Sequence, residues 1–251
     1  MEKVILEWGY NPKTFFEKDI ILENEQYLIK ISEGKIILEP KKYDPKIVHK
    51  DYNNFIESHF ISRMIDNRIN YEIKEGAKIF EDENGRRDIH LKVETISITA
   101  TLSAKVSVTK YDKDGNIIFD SEQDEMKRKQ EFLSQIQNVL DKYDIVPHLV
   151  QSYKNSIRFP NDELVYLYEI VDAIQTFFGG KSKALKVLNI PNSEWSELGN
   201  ICNKLPLKQG RHRGQMIGKL KDAKSEIERA RILSQKIIHS FIKYLNCAKA
   251  L

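Results

Sequence analysis

From residue 96 to residue 108 every even position is apolar (Ile96, Ile98, Ala100, Leu102, Ala104, Val106, Val108), and every odd position between them is Ser, Thr or Lys. A period of two held this long predicts an extended strand with one buried face, because on a helix the same residues would be scattered around the axis. After residue 121 the period lengthens. Met126, Phe132, Leu133, Ile136, Val139 and Leu140 fall on one helical stripe. The chain therefore builds sheet first and helices afterwards, which is an α+β fold: a β-rich N-terminal domain with amphipathic helices, followed by an all-α C-terminal bundle.

The N-terminal part supports this order. Strand patterning recurs at residues 4–8, 20–22, 26–31 and 35–38, and the last two segments are separated by Ser32, Glu33 and Gly34, which predicts a hairpin with Gly34 in the turn. Pro40 and Pro45 interrupt the pattern. From 46 to 68 the residues Ile47, Val48, Phe55, Ile56, Phe60, Ile61, Met64 and Ile65 predict an amphipathic helix lying on that sheet. A further strand is expected at 70–80. Asp112, Asp114 and Asn116 have the spacing that opens a calcium loop, but the closing Glu is missing, so the segment reads as a hairpin turn leading into 117–119.

Pro147, Ser152, Asn155, Ser156 and Pro160 mark a break in composition, so two domains are expected, residues 1–150 and residues 151–251. Beyond Pro160 the pattern is helical. Leu164, Leu167, Tyr168, Val171, Ile174 and Phe178 form a face that stops at Gly179 and Gly180, and 181–188 predicts a short second helix. Ser193 is the expected N-cap of a third. Ser225 and Glu228 have the spacing of a capping box at the start of the last helix, which continues to Leu245.

Charge divides the chain more sharply than the formal total of +3 suggests. From residue 181 onward there are fifteen Lys plus Arg against five Asp plus Glu, whereas residues 1–180 hold 25 against 32. The C-terminal part is a basic module, of the kind that attracts RNA or another polyanion, and an acidic protein surface would satisfy the same field. Its cations concentrate between the last two helices, where Lys204, Lys208, Arg211, Arg213, Lys219 and Lys221 occur without a single Asp or Glu. Gly210, Gly214 and Gly218 punctuate this loop and offer positive φ or close backbone approach to an anion. Within it Arg213, Lys208, Lys204 and Lys219 are the expected phosphate ligands. His212, flanked by Arg211 and Arg213, is the candidate general base, since neighbouring cations favour its neutral form, and Arg211 is the candidate for stabilising a charged transition state.

Other chemistries find little support. The chain has no Gly-x-Ser-x-Gly, phosphate-binding glycine loop, dinucleotide glycine pattern or His-Glu-x-x-His motif. Cys202 and Cys247 have no Cys or His at metal-ligand spacing, so neither a zinc site, another metal or cofactor, nor a disulfide is expected. His49, His59, His90 and His148 read as surface or packing residues, while His239 on the last helix is placed to contribute from across the bundle or from a second subunit. No apolar run approaches the ~18 residues of a membrane span, and Met1 is followed by Glu2; a cytoplasmic protein is expected.

At residues 160–246 the sequence resembles HEPN-like helical domains that follow variable N-terminal domains in prokaryotic defence proteins. It is also similar to bacterial proteins named after the methylamine-utilisation J protein. The stretches that carry the resemblance are ICNKLPLKQGRHRG and KLKDAKSEIERARILSQKIIHSFIKYL. HEPN ribonucleases have an Arg, a polar residue and then a His a few positions on; Arg211 and His212 match the opening, and Gln215, Met216, Ile217 and Gly218 stand where the closing His belongs. The resemblance implies RNA as substrate, metal-independent cleavage, a role in antiviral defence or stress, and a homodimer. The residues themselves leave a second reading open, a non-catalytic interaction module with a basic docking loop.

Overall fold

A computed structural model of the protein describes residues 2–90, 109–111, 117–215 and 217–248. It is an α+β fold with an antiparallel sheet first and helices after it. The chain forms two compact units, Met1–Phe60 with Ile69–Lys105, and Ile61–Arg68 with Val106–Leu251. Helix α1 (Lys50–Asn67) contributes its first part to one unit and its last turns to the other. The strand expected at 96–108 and the turn expected at 112–116 lie outside the described residues.

In the first unit, strands β1 (Lys3–Asn11), β2 (Ile20–Glu23), β3 (Tyr27–Ser32), β4 (Lys35–Pro40), β5 (Glu72–Glu81) and β6 (Arg87–His90) form an antiparallel sheet in the order β2-β3-β4-β1-β5-β6. The β3–β4 hairpin turns on Glu33 and Gly34, with φ of 49° and 86°. Two consecutive positive φ values match the twist of the flanking strands, and glycine takes the second without a Cβ penalty. Alternation along β1 sends Val4, Leu6, Trp8 and Tyr10 to a buried face. There Tyr10 meets Phe60 of α1 edge-on at 5.3 Å, and Phe15 stacks on Phe60 at 5.0 Å. The helix is thus held to the sheet by aromatic packing, as its apolar spacing predicts. His59, one residue before Phe60, is buried, its Nε2 lacks a hydrogen-bond partner, and burial pushes its pKa down to about 4.

Among its described residues the second unit is helical apart from loops and a small hairpin of β7 (Thr109–Tyr111) and β8 (Ile117–Asp120). Its helices are α2 (Ser121–Val139), α3 (Ile145–Arg158), α4 (Glu163–Phe177), α5 (Lys181–Leu188), α6 (Asn192–Asn203) and α7 (Lys224–Cys247). Helix α7 is the axis of the bundle. Its buried residues Ile227, Ala230, Leu233, Ile237, Phe241 and Leu245 recur at three or four and pack against α2, α4, α5 and α6.

Helix boundaries separate what local sequence can and cannot specify. Helix α4 stops at the expected glycines: Gly179 has φ of 68°, and the amides of Gly179 and Gly180 donate to the carbonyls of Thr176 and Gln175. Pro147 does not break the chain. It occupies the first turn of α3, where an amide hydrogen would have no helical acceptor, so α3 runs through the expected 150/151 boundary. The two expected caps also differ. Ser193 lies inside α6, which starts after Pro191, and Ser225 lies inside α7, which starts after Ala223; neither helix has a side-chain cap. Ser225 Oγ instead hydrogen-bonds the carboxylate of Glu226.

One buried carboxylate ties the second unit together. Glu163, the first residue of α4, is 2% exposed, and its oxygens accept from Arg231 Nε at 2.7 Å, Arg231 Nη2 at 2.8 Å and Arg68 Nη2 at 2.7 Å. Arg231 also donates to Glu228, one turn earlier on α7. Nearby, Ile65's carbonyl accepts from Tyr153 Oη at 3.0 Å and from Gln235 Nε2 at 2.7 Å.

Glu163→Ala leaves two guanidiniums short of their carboxylate, so urea unfolding should show a loss of about 3 kcal/mol. The first unit should be acid-sensitive for a different reason. His59 has a lower pKa folded than unfolded, so its contribution is intact above pH 6.5 and is lost as pH falls toward about 4, on the order of 3 kcal/mol in all. His59→Leu should flatten that part of the stability-against-pH curve.

Candidate nucleic-acid interface

The segment between α6 and α7 is built by its own backbone. After Asn203 the amides of Lys204 and Leu205 both donate to the Asn200 carbonyl, ending α6. The chain leaves through Pro206 and buried Leu207 and returns at Lys221: Lys221 N–H donates to Pro206 O at 2.7 Å, and Lys208 N–H donates to Lys221 O at 3.2 Å. The loop is therefore closed at its base, in the manner of an Ω-loop.

Of its glycines, two answer to a steric need. A Cβ on Gly210 would lie 3.1 Å from the Leu207 carbonyl oxygen, and Gly218 has φ of 85°. Gly214 has open space and an ordinary φ. Close approach at Gly210 lets the next amide, that of Arg211, donate to the Cys202 carbonyl at 2.8 Å, so the loop is tied back to the last turn of α6.

The side chains divide into those that hold the loop and those it presents. Arg213, expected to bind phosphate, is a fastener: Nη1 donates to the Asn161 carbonyl at 2.7 Å and Nη2 to Asp162 Oδ1. These acceptors belong to the short turn Pro160–Asp162 that leads into α4. Arg211 places its guanidinium carbon 5.0 Å from the centroid of the Tyr168 ring on α4. His212, Lys204, Lys208, Lys219 and Lys221 are exposed. Among the described residues no carboxylate forms an ion pair with Lys204, Lys208 or Lys219, whereas Lys221 lies close enough to Glu226 to help the Ser225 hydroxyl lower that carboxyl's pKa. The electrostatic consequence is a concentration of unneutralised cations on a fixed frame, with Asp222 the first acidic residue after it.

The structure does not bring His239 into this loop's contacts. Its Nε2 lies 3.1 Å from Asp66 Oδ1 near the end of α1, and its ring stacks on Phe132 of α2 at 3.7 Å. The pair lines a cleft of about 480 Å³ together with Arg128, Gln135, Ser240 and Lys243. Sequence reasoning missed this pairing because the partners are 173 residues apart and neither sits in a motif. Cys202 is buried on α6, and burial, reinforced by Glu163, pushes its thiol up to about 12, which makes it inert as a nucleophile. Among the described residues no group of three His, Cys, Asp or Glu side chains is placed to hold a metal ion, and no helix is long and apolar enough to cross a membrane.

No protein family, curated protein or solved structure was found to match the chain.

If Arg213 fastens the loop, Arg213→Ala should raise amide hydrogen exchange across residues 207–221 by about tenfold, since the lost contact is worth roughly 1.4 kcal/mol of local closure. Exchange in α4 and α7 should stay near that of the parent protein.

Proposed function

We propose that the protein is an RNA-directed, HEPN-like protein whose loop at residues 204–221 grips the phosphate backbone. One observation carries the reading: the loop's frame is satisfied internally, by the 206/221 and 202/211 backbone bonds and by Arg213, while Lys204, Lys208, Lys219 and His212 are left exposed with no carboxylate beside them. Cations held in place without counter-charges release counterions when they meet a polyphosphate, and this supplies the affinity. The resemblance of residues 160–246 to HEPN-like domains supports RNA over other polyanions and suggests prokaryotic defence or stress as the setting.

Within this proposal cleavage needs no metal. His212 takes the proton of a ribose 2′-hydroxyl, the 2′-oxygen attacks the adjacent phosphorus, and Arg211 stabilises the added negative charge in the transition state. The 5′-oxygen leaves and takes a proton from water, and the proton held by His212 passes to the resulting hydroxide, giving a 2′,3′-cyclic phosphate, a 5′-hydroxyl and a regenerated imidazole. An acidic protein surface is the alternative ligand, and the 82% exposed Ile217 in the same loop is the observation that favours it.

Labelled single-stranded RNA and DNA incubated with the protein in EDTA, over a salt series, tests both parts. RNA binding should weaken with a slope of about −3 in log affinity against log salt, for four or five phosphates held. Lys208→Ala should lessen that slope by about 0.7, and His212→Ala should abolish cleavage while leaving binding intact. Absence of both binding and cleavage would remove the reading and leave the docking module in its place.

A further inference from the structure

Arg211 and Arg213 lie two residues apart on one loop, yet the structure uses them differently. Arg213 is spent on two carbonyls and a carboxylate. Arg211 has no carboxylate partner among the described residues; its guanidinium lies over the Tyr168 ring, and the residue remains exposed. The arrangement is held from below. Tyr168 packs beside α6 where Gly199 has no side chain, a Cβ there lying 3.9 Å from Tyr168 Cε2. From the loop side the Arg211 amide is tied to the Cys202 carbonyl at 2.8 Å, and the backbone is drawn in by Gly210.

A guanidinium resting on an aromatic face is fixed in orientation at little entropic cost and keeps its second face for another planar group. Around it the exposed groups are the lysines that suit phosphates and the imidazole of His212. The planar group that arrives attached to phosphates is a nucleobase, and only an unpaired base has a free face to offer.

We propose that Arg211, laid over Tyr168, is a stacking platform for an unpaired base, so that the loop selects single-stranded over duplex nucleic acid. This deepens the RNA-directed reading and rests on it. The lysines contribute affinity without regard to base pairing; the platform contributes the preference.

Fluorescence anisotropy with three probes matched in total charge separates the two contributions: a single-stranded oligouridylate, an abasic ribose-phosphate oligomer of the same length, and a duplex RNA of half that length. The protein should bind the oligouridylate at least about fivefold more tightly than either other probe, the lower end of what one stacked base supplies. Arg211→Lys keeps the charge and loses the planar face, so within that variant the oligouridylate should bind no more tightly than the abasic oligomer. Equal, salt-dependent affinity of the parent protein for all three probes would overturn the platform and leave the polyanion reading standing. A preference that survives Arg211→Lys would overturn the assignment to Arg211. Failure to bind any of the three would overturn both readings together.

Discussion

The Glu163 carboxylate fixes much of the second unit, because it is almost fully buried and takes hydrogen bonds from the residue that follows α1 and from the first half of α7 at the point where α4 begins. A negative charge in the first turn of a helix is favoured by the helix dipole, and the same dipole serves Asp162 one residue earlier, which holds Arg213. Two adjacent acidic residues therefore secure a bundle contact and a surface loop. Such pairs are costly to desolvate, so the carboxylate matters most through what its removal would leave behind, two guanidiniums without their counter-charge. The arrangement is tightly drawn: Arg68 Nη1 is buried without a partner, so even here not every donor is satisfied.

The loop hung from this anchor combines a satisfied backbone with free cationic side chains. Those two properties are often in conflict, since a loop rich in lysine and glycine has high conformational entropy. Here closure at Leu207 and Lys221, the approach at Gly210 and the Arg213 contacts remove most of the backbone freedom before any ligand arrives. Ligand binding then orders only the ends of flexible lysines, which is a smaller entropic loss than ordering a whole loop.

Much of the architecture was legible in the residues. Strand patterning at residues 4–8, 20–22, 26–31 and 35–38 followed by helical stripes after 121 predicted sheet followed by helices, Gly34 the β3–β4 hairpin, and Gly179 with Gly180 the end of α4, because each of these depends on contacts within a few positions. The caps at Ser193 and Ser225 were misread because a short pattern matches at more than one register, and both helices start one residue earlier, at Asn192 and Lys224. Pro147 was misread because its effect depends on its position within the helix. The division of labour between Arg211 and Arg213 was not legible at all: their partners, Tyr168 and Asp162, are more than forty residues away in sequence, and nothing local distinguishes one arginine from the other. The same distance hid the meeting of His239 with Asp66.

The backbone pairing of Leu207 with Lys221 makes the intervening segment a replaceable part. Its two ends are held to each other, so insertions or exchanges between them need not disturb α6 or α7, and for a flexible segment each doubling of enclosed length costs only about 0.6 kcal/mol. Recognition can then diversify while the bundle stays constant. A lineage carrying this frame could change what it grips by editing a dozen or so surface residues, in the way that binding loops vary on a conserved scaffold.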